Sequence, residues 1–473
     1  MSGPDISMTE HMKENQIKIL LPGMLDTKGD EFRWMAELVR FYGGVPTLMD
    51  LSLGGEAKWA DIPLSQVLQE TGHEPEDVYQ LSRSDAVAVV SEAGRRMVRK
   101  LYQAGEIDGM LSWAGSIGTT VASALMRELP LGVPKVMLST SASGDVRRWL
   151  GLSDILIASP ISEKGTNRLT AKTVGKAAAG VVAMARAMKL EPPPLQDGDK
   201  PMVGISLYGI TTPTAMRCAE FMEARGWDTL FFHQTGLGAV MEDLIDHGEI
   251  KAVFDLTPAE LVSNHFGSRN RTPDDWKGWR FTAAFRAGIP AVVSTGAMED
   301  SPFGSWDALP ENFREEFRTG KRVSYKQSGK PYFHSEQTLI LPTTLEENRM
   351  FAEYMVEQIN QATGPVALLV PMKGWSAYDQ SADHASKEFG WAEGGDGPVW
   401  IGSKKYKDWS ERAVQFWNVV EKKLRTDKEN IQAIKLDLHF LDPEFSYIAC
   451  EIMARMLEGT WHKDCLPARK EIL

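Results

Sequence analysis

The chain has 473 residues, 43% of them hydrophobic and 25% charged, with a formal net charge of -12. That length exceeds one ordinary core, so two or more domains are expected. The acidic balance argues against nucleic acid as a partner while leaving room for a local basic pocket. Cys218, Cys450 and Cys465 form no CxxC pair and no disulfide framework, which points to a reducing compartment. The N-terminus has no apolar signal core, and no stretch nears the roughly 18 apolar residues that span a bilayer. The expectation is a cytoplasmic protein with no membrane partner.

Residues 1–15 read as a polar, mobile lead-in. Ile17–Leu21 reads as a short buried strand and Pro22–Gly29 as a loop. Phe32, Met35, Leu38, Val39 and Tyr42 then keep helical spacing until Gly43-Gly44 stops them. Val45–Asp50 is the next strand, so the chain opens as a βαβ unit, which implies a parallel sheet with helices on its faces. Residues 53–90 break the rhythm and read as an insertion over the sheet edge. It returns with helix 91–104, strand 109–113, helix 119–128, strand 133–138, strand 155–158 and an alanine-rich helix over 167–190.

The first half is organised around Leu111-Ser-Trp-Ala-Gly-Ser-Ile-Gly-Thr-Thr120, an apolar strand running through a small-residue turn into a helix. Gly115 and Gly118 let backbone approach a ligand. Ser116, Thr119 and Thr120 place hydroxyls where a helix exposes unpaired N–H groups, an anion-binding arrangement with phosphate as the natural anion. A plain helix start with turn glycines would read the same way. Two more stretches lie at strand ends. Ser139 to Asp145 packs Ser139, Ser143, Gly144 and Asp145 into a short loop, fit for phosphate or for an Asx-type turn. Asp26-Thr27-Lys28 offers a carboxylate, a hydroxyl and a lysine, fit for a Mg²⁺–phosphate group or for a helix cap beside a solvated charge.

Glu191–Pro201, with three consecutive prolines, reads as a linker. It separates a domain of residues 1–190, which carries the phosphate loops, from a second of residues 202–473. The second half starts over: strand 203–208, a turn at 209–214, helix 214–225, strand 229–233, a turn at 235–238, helix 239–247 and strand 252–256. Residues 298–337 and 372–407 read as irregular loop regions. Strand 338–342, helix 344–362, strand 366–371, helix 409–425, strand 433–438 and helix 444–458 fill the rest. The halves echo each other: Gly105-Glu-Ile-Asp-Gly-Met-Leu111 matches Gly248-Glu-Ile-Lys-Ala-Val-Phe254, and Leu131–Thr140 matches Ala287–Thr295. The expected fold is therefore α/β, two similar Rossmann-like parallel-sheet domains from internal duplication, with a ligand cleft between them.

In the second half Thr211 and Thr212 repeat the hydroxyl-turn theme. His233, Asp255, Glu260 and His439 stand at or near strand ends and are the candidates for acid–base catalysis. Metal ligation by this set is weakly indicated, because no pair has a spacing such as HExxH. No GxxxxGK[ST] and no GxGxxG occurs, which disfavours a P-loop and the common dinucleotide fingerprint.

Gly23-Met-Leu-Asp-Thr-Lys-Gly-Asp-Glu31, Ala114-Gly-Ser-Ile-Gly-Thr119 and Gly132–Asp145 carry a resemblance, as do Gly209–Pro213, Phe232–Gly236, Asp255–Glu260 and Asp437–Asp442. Over about residues 17–460 the chain resembles the UPF0261 family, also called Tm-1-like ATP-binding domain proteins. The resemblance implies a two-subdomain α/β protein that binds ATP as a homodimer. ATP phosphates would lie on the 115–120 and 139–145 loops, with Asp26 or Asp145 near a Mg²⁺. Three departures stand out: Ala114 where the family usually has glycine, the loop after Gly296 (Ala-Met-Glu-Asp-Ser-Pro), and the loop after Gly374. These leave open a second reading, a lyase or hydrolase acting on an anionic organic acid through His233, Asp255, Glu260 and His439. A third is an interaction module whose nucleotide is structural.

Overall fold

The computed structural model describes residues 16–190, 199–268, 270–272, 280–322, 331–381, 399–463 and 465. The expected lead-in of 1–15 and residues 191–198 of the expected linker lie outside the described residues. The chain divides into two compact units, Met1–Pro194 and Leu195–Leu473.

The first unit is built on five parallel strands, β1 (Ile17–Gly23), β2 (Gly44–Asp50), β3 (Gly109–Ala114), β4 (Lys135–Ser139) and β5 (Leu156–Ala158), in the order β2-β1-β3-β4-β5. Alternation along each strand sorts the core into two faces. Ile17, Ile19, Leu21, Leu111 and Trp113 pack under helices Leu25–Phe41 and Arg168–Met188. Leu20, Met110, Ala114 and Met137 pack under Arg83–Gln103 and Ser116–Met126.

The second unit repeats this plan with β6 (Met202–Leu207), β7 (Asp228–His233), β8 (Ile250–Asp255) and β9 (Ala291–Ser294). A small antiparallel sheet of β10 (Asp300–Pro302), β11 (Tyr332–Ser335) and β12 (Thr338–Pro342) follows. The main sheet is completed by β13 (Val366–Pro371) and β14 (Ile431–Leu436), in the order β14-β13-β9-β8-β6-β7. Both parallel sheets thus share one strand order, second-first-third-fourth-fifth, and the second unit adds a sixth. The sequence echoes fall on equivalent strands. One pair leads into β3 and β8, with Gly105 and Gly248 at φ 70° and 75°, left-handed values that favour glycine. The other pair leads into β4 and β9.

Four expectations are corrected. Pro22–Gly29 is not a loop: β1 runs to Gly23, and the helix starts at Leu25, its first turn set off by a kink at Lys28 (φ -130°, ψ 24°). The helix expected over 91–104 begins at Arg83, because the Ser82 hydroxyl caps it by accepting from the Asp85 N–H at 3.2 Å. The insertion of 53–90 is largely helical, with segments Leu64–Leu68 and Pro75–Tyr79 ahead of that cap. The stretch 298–337 holds β10, helix Glu311–Arg318 and β11, so it is not irregular.

Candidate functional site

In the first unit β1 and β3 are neighbours while β2 lies outside β1. The connections after β1 and β3 therefore leave the sheet in opposite directions, and a crevice opens at their carboxyl ends. A cleft of about 550 Å³ lies there, within the ordinary range for small-molecule sites. Its walls come from four places: Gly23 to Lys28 at and after the end of β1, Ser112 to Gly118 around the end of β3, Leu53, Gly54, Tyr79 and Arg83 from the insertion, and Glu163 from the segment after β5.

Each wall is fixed by local chemistry. Gly115 is the N-cap of helix Ser116–Met126, and no side chain caps it, so the first-turn N–H groups have no intrahelical acceptor. At Gly118 a methyl group would stand 2.8 Å from the Ala114 Cβ, so only glycine lets the helix approach the strand end this closely. Asp26 is exposed. Its N–H donates to Ser52 Oγ at 2.9 Å, and its Oδ2 accepts from the Gly54 N–H at 3.0 Å. Asp50, at the end of β2, is buried and accepts from the Ala57 N–H at 2.7 Å, which ties the loop back; burial pushes its carboxyl up. Lys28 is 7% exposed, with its Nζ 5.2 Å from the Trp113 ring centroid and donating to the Glu163 carbonyl. Burial lowers the Lys28 ammonium, against the pull of Glu163 and Glu31. Trp113 itself is 1% exposed, lines the cleft, and its indole N–H has no hydrogen-bond partner among the described residues.

Of the candidates read from sequence, Asp26, Thr27, Lys28, Gly115, Ser116 and Gly118 come together on this cleft. Thr119 and Thr120 turn away. The Thr119 hydroxyl meets the Gly115 carbonyl and Ser139 Oγ, both at 2.8 Å. The Thr120 hydroxyl donates to the Ser116 carbonyl at 3.0 Å and accepts from Trp149 Nε1 at 3.1 Å. Ser139 is buried behind them, and Ser143 and Gly144 are exposed on the next loop. Asp145 is bound there by Arg147, 2.9 Å from Nε to Oδ1. Sequence reasoning missed Glu163 and Trp113. Glu163 lies 135 positions from Lys28, and nothing local marks it.

The acid–base set of the second unit divides. Asp255 and Glu260 come together on Arg280, with Glu242 as a third acid: Nη2 to Asp255 at 2.5 Å, Nη1 to Glu242 at 3.3 Å and Nε to Glu260 at 3.4 Å, all buried. Burial pushes Glu260 up to about 7. His233 is exposed at the end of β7, its ring 5.3 Å from that of Tyr208. His439 is buried. Its Nδ1 accepts from the Leu441 N–H at 3.1 Å, which assigns the proton to Nε2, directed at the Asp379 carbonyl at 3.1 Å. Thr211 and Thr212 bond back to Tyr208.

His439 borders a cluster that sequence reasoning did not assemble. Glu299, Asp300 and Asp379 are buried around Arg412, on the loops after β9 and β13 where the family resemblance departs. Burial and mutual repulsion push Glu299 well above the carboxylate range; burial first, then repulsion from Asp379, pushes Asp300 up to about 8; and burial pushes Asp379 up to about 6. Among the described residues no group of three or more His, Cys, Asp and Glu is placed to hold a metal ion, and no helix is long and apolar enough to cross a membrane. Cys218 and Cys450 are buried free thiols, and Cys465 is also free.

Two family models match the chain: the N-terminal domain of an uncharacterised protein family, UPF0261, over residues 17–190, and its C-terminal domain over residues 200–389. A UPF0261 protein of Clostridium tetani is 32% identical over 446 residues, covering 93% of this chain and 99% of its own. One of Rhizobium meliloti is 30% identical over 434 residues, covering 91% and 97%. The ToMV resistance protein Tm-1 of Solanum lycopersicum is 28% identical over 481 residues, 97% of this chain and 58% of its own.

Proposed function

The chain belongs to the UPF0261 family, and on that premise we propose that its first unit binds the phosphates of a nucleotide, ATP being the reference ligand, in the cleft between β1 and β3. The observation that carries this reading is the helix start at Gly115–Gly118, which has no side-chain cap and lines this cleft together with Lys28. The rest of the wall suits an anion. The uncapped first turn of helix Ser116–Met126 presents N–H groups and the positive end of the helix dipole. Lys28 supplies an ammonium and Arg83 a guanidinium to that wall, and the exposed Ser116 hydroxyl can bond a phosphate oxygen. Mg²⁺ needs only one or two protein carboxylates beside ligand oxygens and water, and Asp26 is an exposed carboxylate on this wall that can serve. Phosphate contacts are assigned to 115–118, because the 139–145 loop is not part of the lining of this cleft.

The test is a thermal-shift titration with ATP, ADP and AMP, with and without Mg²⁺. A ligand at a hundred times its Kd adds about 2.7 kcal/mol, roughly 5–10 °C for a unit of this size. The control variant is Ser116→Asp. A carboxylate at the first position suits the helix dipole, so the variant folds, but it fills the anion seat and the shift disappears. Gly118→Asp is a poorer control, because its Cβ would meet Ala114. No shift at millimolar nucleotide in the wild type sinks the reading.

A further inference from the structure

The segment Ser159–Gly165 follows β5 and brings Glu163 to the cleft. It is pinned at several points: Lys28 Nζ donates to the Glu163 carbonyl, the Gly165 N–H donates to Glu31 Oε1 at 2.9 Å, and Thr173 Oγ1 donates to the Pro160 carbonyl at 3.2 Å. The pinning is not relaxed throughout. Ile161, a β-branched residue, sits at φ 73° with its side chain exposed, a conformation that costs free energy. The Glu163 carboxylate lies at the start of helix Ser116–Met126: a methyl group placed on Gly115 would be 3.1 Å from its Oε1. The uncapped helix end therefore already faces an anion, and that anion belongs to the protein.

Building on the phosphate reading of this cleft, we propose that Glu163 is its resident anion: the Glu163 carboxylate holds the helix terminus in the free protein and is displaced by the incoming phosphate. The displacement frees Lys28 from the Glu163 carbonyl to face the ligand. Glu163 then sets specificity through charge. It opposes a bare phosphate, whereas a nucleotide phosphate accompanied by a divalent cation meets less repulsion.

The experiment is calorimetric titration of the full chain with inorganic phosphate and with metal-free ADP, comparing wild type, Glu163→Gln and Glu163→Ala. The Glu163 side chain is exposed, so both variants keep the fold. Removing one like charge from the seat is expected to tighten binding about tenfold in both variants. Hydrogen exchange of the amides of residues 161–165 is expected to quicken when wild type is saturated with phosphate. Wild-type binding with unchanged or weaker affinity in both variants, or slower exchange in the segment, overturns the proposal and leaves the phosphate reading standing. Failure of all three proteins to bind either probe overturns the phosphate reading, and this proposal falls with it.

Discussion

The two parallel sheets have the same strand order over their first five strands, yet their carboxyl ends are finished in opposite ways. At the β1–β3 gap polar groups are left over: the Ser116–Met126 helix end has no side-chain cap, and the buried Trp113 N–H has no partner among the described residues. At the corresponding β6–β8 gap the loop groups satisfy one another. The Thr257 N–H donates to Ser206 Oγ at 2.9 Å, the Thr257 hydroxyl to Thr211 Oγ1 at 3.0 Å, and Thr211 Oγ1 accepts from the Tyr208 N–H at 2.8 Å. Beyond them Arg280 takes up Asp255, Glu260 and Glu242. Strand order says where a ligand crevice can open. Whether one is open depends on whether the loops spend their polar groups on each other.

If that contrast is right, a buried cation serves stability in the second unit and binding in the first. Arg280→Met leaves three buried carboxylates without their guanidinium, and the expected loss is about 3–5 kcal/mol in denaturant unfolding of the second unit. Lys28→Met removes a partly desolvated ammonium whose aliphatic stem Met mimics, so its expected cost is within about 1 kcal/mol, while the nucleotide-induced thermal shift collapses. Equal stability losses in the two variants would erase the distinction.

A second way to separate the units is pH. Glu260, Asp300 and Asp379 carry folded-state values raised to about 7, 8 and 6, and burial is the first cause of each. A carboxyl raised on folding holds its proton more tightly in the native state. Its contribution is therefore complete below the unfolded value, near 4, and declines as pH climbs through the folded one. The second unit is expected to lose several kcal/mol between pH 5 and pH 8, at about 1.4 kcal/mol for each such group per pH unit, read as faster intrinsic-rate-corrected hydrogen exchange in β9 and β13 amides. Amides of β1 and β3 should change less, since one raised carboxyl, the buried Asp50 at the end of β2, stands there against the three just named in the second unit. Asp300→Asn should flatten the slope; an unchanged slope would show that these protons are not held as the burial implies.

The fold was legible where burial leaves a plain mark. β3 and β13 are buried along their whole length, so they appear in sequence as apolar runs, and the repeated blocks identified the third and fourth strands of each unit. The βα turns were legible as glycine and hydroxyl clusters; those after β1 and β3 line the cleft, and those at 139–145 and 211–212 do not. What escaped was the direction of each hydroxyl and every partner distant in sequence. Glu163 reaches Lys28 across 135 positions, and Arg280 gathers acids 20 to 38 positions upstream of it. The Glu299, Asp300 and Asp379 cluster was visible only as departures from a familiar pattern, because no spacing rule links two loops that meet at adjacent strand ends.

The smallest expected effect is the sharpest on that last point. Thr119 and Thr120 follow Ser116 in one helix, and composition alone gives all three hydroxyls to an anion. Helix phase does not: side chains three and four positions on have passed the first turn, where the free N–H groups end. The Thr120 hydroxyl is bonded to the Ser116 carbonyl and to Trp149 Nε1. Thr120→Val keeps the shape and removes both bonds, leaving the Trp149 N–H without its acceptor. The expected cost is about 1 kcal/mol of stability in the first unit, with nucleotide affinity unchanged within about twofold, the scale of a distant substitution. A tenfold loss of affinity at intact stability would mean that the hydroxyl rotates to meet the ligand, and that the anion seat extends past the first turn of the helix.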